Sequence, residues 1–124
     1  MASEPNHREW DLQDVENWYE TEGSIGRKNK KVLFSQKDRR PLEEIGRVLQ
    51  RELGFERCPI SQMSSGYNLQ LPIEESAKFV GFFKGRVKTA KAFQDLDELE
   101  KLILGPARLV RRERRRAREI LLSP

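Results

Sequence analysis

The 124-residue sequence holds one cysteine and one histidine. A lone Cys58 excludes an intramolecular disulfide, and with His7 as its only companion it excludes a zinc centre built from clustered cysteines and histidines. Nowhere does an uninterrupted apolar run approach the roughly 20 residues of a membrane span. The first residues also lack the apolar core of a secretory signal peptide, so a soluble, cytoplasmic or otherwise intracellular protein, not secreted and without a membrane partner, is expected. Aromatic residues are few, with 2 Trp, 2 Tyr and 6 Phe. A base-stacking RNA platform needs aromatics on an exposed sheet, and Tyr67 is the only convincing candidate.

What the sequence has in quantity is charge, unevenly placed. The formal net charge is +4. Between Arg27 and Arg40 seven Lys or Arg stand against Asp38, and between Gly105 and Pro124 seven Arg stand against Glu113 and Glu119. These stretches carry +6 and +5, leaving −7 on the rest of the chain. A field divided in this way favours a polyanionic partner, because each cation brought to a phosphate releases counterions. A length of this order supports one core.

Start, stop and periodicity signals divide the chain into a flexible segment 1–10, a core domain 11–104 and a basic C-terminal helix 105–124. Asp11 is an N-cap for a helix with Leu12, Val15, Trp18 and Tyr19 at helical spacing, stopped by Gly23. Ser24 to Gln36 reads as a short hairpin with a polar turn at Gly26 to Lys30. Pro41 at a first helical position, the stripe Leu42, Ile45, Leu49 and Leu53, and Gly54 after it define a second helix. A second hairpin follows, from Phe55 to Ser61 and from Tyr67 to Leu71, around Ser64-Ser65-Gly66. Tyr67, Leu69 and Leu71 share one side of its second strand and Asn68 and Gln70 the other. Helices are predicted from Pro72 to about Phe83, from Thr89 to Leu104, and from Ala107 to Leu122, the last with a narrow apolar stripe that must dock to be stable.

This order implies an α+β protein with helices on one face of an antiparallel sheet and the other face open. An open face carrying Asn, Gln, Lys and Arg suits the DNA major groove, where amides read adenine and arginine reads guanine.

The segment Val15-Glu16-Asn17-Trp18-Tyr19-Glu20-Thr21-Glu22-Gly23-Ser24-Ile25 resembles the motif of the LAGLIDADG homing endonucleases, most closely at its acid-Gly-Ser-apolar end. Phe34-Ser35-Gln36-Lys37-Asp38 and Leu42-Glu43-Glu44-Ile45 look like that family's second strand, its Gln-Lys dipeptide and the following helix. Leu53-Gly54-Phe55, Gly66-Tyr67-Asn68-Leu69 and Val87-Lys88 continue the resemblance in the same order, so that it covers about Leu12 to Ile103. It implies the αββαββα fold of the single-motif, homodimer-forming type, with a four-stranded antiparallel sheet, helices on one face and extra C-terminal helices.

The same resemblance implies site-specific cleavage of double-stranded DNA, with Mg²⁺ or Mn²⁺ held at the base of two paired motif helices. An acid at each helix end, brought together by two-fold symmetry, can hold metal ions that activate water and stabilise a leaving oxygen. Glu22 stands at the catalytic acid position, and the carbonyls of Thr21 or Gly23 complete the metal shell. Gln36, Arg40 and Lys88 match positions that orient water or offset phosphate charge, with Lys91 the alternative to Lys88 one turn on. Val15, Trp18, Tyr19 and Thr21 fall on the motif helix's dimer-forming side. Arg27, Lys28, Lys30 and Lys31 in the first hairpin and Arg57, Gln62, Asn68 and Gln70 in the second form the expected DNA surface, the cations on phosphate and the amides on bases.

The chain departs from the family where Glu16 and Asn17 replace the small residues that let two motif helices cross closely, and its first hairpin is short. Three readings follow: a homodimeric metal-dependent endonuclease, a non-cleaving DNA-binding protein on the same fold, and an intron-RNA-binding splicing cofactor of the maturase kind, for which the arginine-rich last segment is suited.

Overall fold

A computed structural model describes residues 9–105 and 120–121. Most of the expected flexible start and of the basic C-terminal helix therefore lies outside the described residues. Between them the chain runs α1 (Leu12–Glu22), β1 (Gly23–Gly26), β2 (Lys31–Gln36), α2 (Arg39–Leu53), β3 (Ile60–Met63), β4 (Gly66–Gln70), α3 (Ile73–Phe83) and α4 (Ala90–Leu104). The class is α+β, with one antiparallel four-stranded sheet in the order β1-β2-β4-β3.

Local chemistry explains most boundaries. Asp11 accepts from the Asp14 N–H at 3.1 Å while the Asp14 carboxylate accepts from the Asp11 N–H at 2.8 Å, a reciprocal cap that fixes the first turn of α1. Thr89 caps α4 by accepting from the Ala92 N–H. α2 starts two residues before Pro41. The first helical N–H groups have no intrahelical partner, so a proline is tolerated anywhere in that turn and does not mark its first residue. β3 begins only at Ile60. Pro59 cannot donate to a ladder, and the N–H groups of Glu56 and Arg57 are taken by the buried Glu75 carboxylate at 3.2 Å each.

Register assigns the two sheet faces. Phe34 pairs with Leu69, Ile25 with Val32 and Ile60 with Leu69, and these side chains meet the helices. The core runs from α1 (Val15, Tyr19) through β2 (Val32, Phe34) and α2 (Leu42, Ile45, Leu49) to α3 and α4 (Phe79, Phe83, Leu96, Leu99). Ile120 and Leu121, helical and half-buried, pack against it. At its centre the Phe79 ring lies 5.2 Å from Tyr19, 6.0 Å from Phe34 and 4.4 Å from Phe83. The opposite face carries Ser24, Leu33, Ser35, Asn68, Gln70, Ser61 and Met63.

Beyond Leu33 and Gln70 the pairing of β2 with β4 is modified. Leu71 donates its N–H to the Val32 carbonyl at 3.0 Å. The Val32 N–H, however, donates to the Ser76 hydroxyl at 2.9 Å, and that hydroxyl donates to the Leu71 carbonyl at 2.8 Å. A buried side chain of α3 thus stands inside the ladder.

Cys58 is half-buried. Burial, and secondarily the neighbouring Glu75 charge, push its thiol up to about 12. An unfolded thiol titrates near ~8.5, so the folded chain keeps a proton that the unfolded chain releases. Stability held below the unfolded value is lost as pH rises from there toward the folded one. Between about pH 9 and about pH 11 the urea midpoint of the wild type should therefore fall further than that of Cys58→Ser. Equal falls in the two proteins would show that the thiol contributes nothing.

Among the described residues no helix is long and apolar enough to cross a membrane.

Candidate nucleic-acid interface and carboxylate site

α1 runs directly into β1, which puts Glu22 at the last position of the helix and beside the sheet. Gln36 closes β2, and pairing of Gln36 with Tyr67 brings the β3–β4 turn alongside. Glu22, Ser35, Gln36, Lys37, Met63, Ser65, Gly66 and Tyr67 line one open depression of about 560 Å³. Glu22 and Gln36, fourteen positions apart in the chain, thus share a cavity wall. The Glu22 carboxylate is exposed and makes no ion pair among the described residues.

The two cations expected beside them are elsewhere. Arg40 is exposed in the first turn of α2 and does not line the depression. Lys88 is attached to α1, its N–H donating to the Glu20 carboxylate and its Nζ lying 3.4 Å from Glu16 Oε2. Lys91 pairs with Asp95 at 2.9 Å. The cation that does line the depression is Lys37. Arg39 stands nearby, its guanidinium 6.0 Å from the centre of the Tyr67 ring and its Nε 2.8 Å from Glu43. Lys37 and Tyr67 were reachable from the sequence only through the β2–β4 register, which sets which residues flank Gln36.

The eight residues expected on the DNA surface separate into groups. Lys31, Arg57 and Gln70 share a second depression of about 520 Å³ with Ser61 and Glu74, on the uncovered face. Lys28 is exposed in the first turn. Asn68 lies on this face but is only 7% exposed, and its amide oxygen accepts from the Ser35 hydroxyl at 2.8 Å. It fastens β2 to β4, so it is not a free base-reading amide. Arg27 is turned toward α4, with Nε 2.7 Å from Glu98 and a longer contact of 3.7 Å to Asp95. The hydrogen bond to Glu98 holds its guanidinium above the ordinary arginine value. Lys30 takes a left-handed backbone conformation (φ 58°) and is 9% exposed, its stem folded into the protein. Gln62 pairs with Tyr67 and so faces the helix side of the edge strand.

The expected dimer-forming set also needs correction. Val15 is 0% and Tyr19 2% exposed, packed inside the monomer and not offered to a second copy. Burial, then the Asp95 charge, drive the Tyr19 phenol above its ordinary value. Trp18 is half-buried and stacked on Trp10 at 5.8 Å. The outward line of α1 is Gln13, Asn17 and Thr21, in which Gln13 donates to Asn17 at 3.2 Å and the Thr21 hydroxyl to the Asn17 carbonyl at 3.1 Å.

No protein-family model matches the chain, and neither a curated protein nor a solved structure matches it.

Proposed function

We propose that this chain binds duplex DNA and hydrolyses its phosphodiester bonds as a homodimer, in the manner of a single-motif LAGLIDADG homing endonuclease. The observation that carries this reading is the shared depression of Glu22, Gln36 and Lys37. Two residues of its wall, Ser35 and Met63, lie by register on the sheet face that also bears Lys31 and Gln70. The element order through α3 agrees with the αββαββα fold of that family.

Among the described residues no three His, Cys, Asp or Glu side chains are grouped to hold a metal. A carboxylate at a helix end, without an ion pair among the described residues, nevertheless fits Mg²⁺ or Mn²⁺, since Mg²⁺ is commonly held by one or two carboxylates together with substrate phosphates and water. Glu22 would hold the ion, helped by the carbonyl of Thr21 or Gly23 and by the second copy's Glu22. The chemistry supplied there would be a lowered pKa of metal-bound water and stabilisation of the leaving oxygen. Within the chain, the Gln36 amide orients water by hydrogen bonding and Lys37 offsets phosphate charge from the depression wall. Lys31 and Arg57 contact backbone phosphates, which positions the duplex without reading it.

A second reading, duplex binding without cleavage, is favoured by one observation: Lys88 is engaged by Glu16 and Glu20 and not by the Glu22 depression. The deciding experiment is a cleavage screen on a randomised duplex library with Mg²⁺ or Mn²⁺, comparing wild type with Glu22→Gln. Defined double-strand breaks, reduced at least about a hundredfold in the variant as for removal of a charge-stabilising group, support the endonuclease. Metal-independent binding without breaks selects the second reading. Preference for RNA over duplex in competition would instead favour the splicing-cofactor alternative.

A further inference from the structure

Glu16 is an anomaly of α1. Its side chain is 6% exposed, and among the described residues its Oε2 makes no hydrogen bond and is paired with the Lys88 ammonium at 3.4 Å. Lys88 in turn is 68% exposed at its side chain. Its backbone is held at Glu20 by the N–H bond, while its ammonium is held at Glu16, one helical turn further from Glu22. The arm of Lys88 therefore runs back along α1, away from the carboxylate depression. A carboxylate with one oxygen shut off from water and a cation beside that oxygen does not give the cation up freely.

We propose that Glu16 is a positioning residue that competes with duplex phosphate for Lys88. With Glu16 charged, the ammonium is retained on α1 and the chain engages a duplex with one phosphate contact fewer than its cations allow. Loss of that charge releases Lys88, whose backbone anchor at Glu20 leaves its arm free to reach the Glu22 end of the helix. This inference rests on the reading that the chain binds duplex DNA.

The experiment is a binding titration on a labelled duplex of random sequence, about 30 base pairs long, across a potassium chloride series without divalent metal. Each phosphate contact contributes about −0.9 to the slope of log affinity against log salt. Glu16→Gln, which keeps the shape and removes the charge, should steepen the slope by about 0.9 for each protomer on the duplex, about 1.8 for the homodimer, and tighten binding at low salt. Glu16→Gln combined with Lys88→Gln should return the wild-type slope. Lys88→Gln alone should leave the slope unchanged, because Lys88 is already committed to Glu16.

An unchanged slope in folded Glu16→Gln, or a gain that survives loss of Lys88, overturns the proposal. So does a slope that becomes shallower by about 0.9 per protomer in Lys88→Gln, which would place Lys88 on phosphate in the wild type and decides the matter even if Glu16→Gln fails to fold. A wild type without salt-dependent duplex binding overturns the DNA-binding reading and this inference together. A wild type that binds, with a flat response in the variants, overturns the inference alone.

Discussion

Phe79→Ala is expected to lower the unfolding free energy by about 3–5 kcal/mol, the range for emptying a large aromatic site in a closed core. The Phe79 side chain is fully buried, and its ring meets Tyr19 of α1, Phe34 of β2 and Phe83 of its own helix. Its removal strips contacts from three elements at once, and neighbours fixed on separate helices and strands can only partly collapse into the space. Phe93→Ala provides the comparison, because Phe93 is 45% exposed and its loss should stay within about 1 kcal/mol. Urea unfolding followed by circular dichroism checks both. A Phe79→Ala loss no larger than that of Phe93→Ala would mean that the aromatic cluster is not the centre of the core.

The second large effect is expected at Gly66. Its φ of 149° is one that side chains rarely adopt, and a Cβ there would stand 2.5 Å from the Gln36 carbonyl oxygen and 3.0 Å from Lys37 Cα. Both obstacles are backbone, so neither can rotate aside. Gly66→Ala combines backbone strain with overpacking, each about 1–3 kcal/mol. It should also push the end of β2 away and disturb Gln36. Gly54→Ala has a positive φ of 69° but nothing within 4 Å of the added carbon, so only the left-handed penalty of about 1–2 kcal/mol applies. Equal losses in the two variants would remove the close approach of Gly66 to Gln36 as a cause. Under the proposed function Gly66→Ala also loses cleavage in excess of its loss of fold, measured at a temperature where both proteins remain folded.

The helices were readable because their signals are local. The Asp11 cap, the Gly54 stop and the 3.6-residue periodicity of α2 and α3 each arise from residues that are close together in the chain. The sheet face on which Asn68 and Gln70 lie was also readable, since alternation needs only the strand itself. What escaped depends on partners distant in the chain. Arg27 looks like a free hairpin cation until α4 brings Glu98 to it across 71 positions. Asn68 looks like an exposed amide until the β2–β4 register sets Ser35 opposite. An amphipathic pattern gives α1 an apolar side without saying what covers it, so Val15 and Tyr19 read equally well as dimer contacts and as core. Glu22 and Gln36 were singled out by resemblance, while their common cavity is a consequence of the helix-to-strand junction and the sheet order.

The Ser76 hydroxyl also has a kinetic consequence. An amide proton in a sheet ordinarily exchanges with solvent deuterium when the strands part, but the Val32 N–H is held by a side chain of α3. Its exchange rate should report how often that helix lifts from the sheet, independently of the strands. Ser76→Ala should therefore accelerate exchange at Val32 well beyond the change at Phe34, which lies on the same strand, so that one amide serves as a clock for the helix and the other for the sheet.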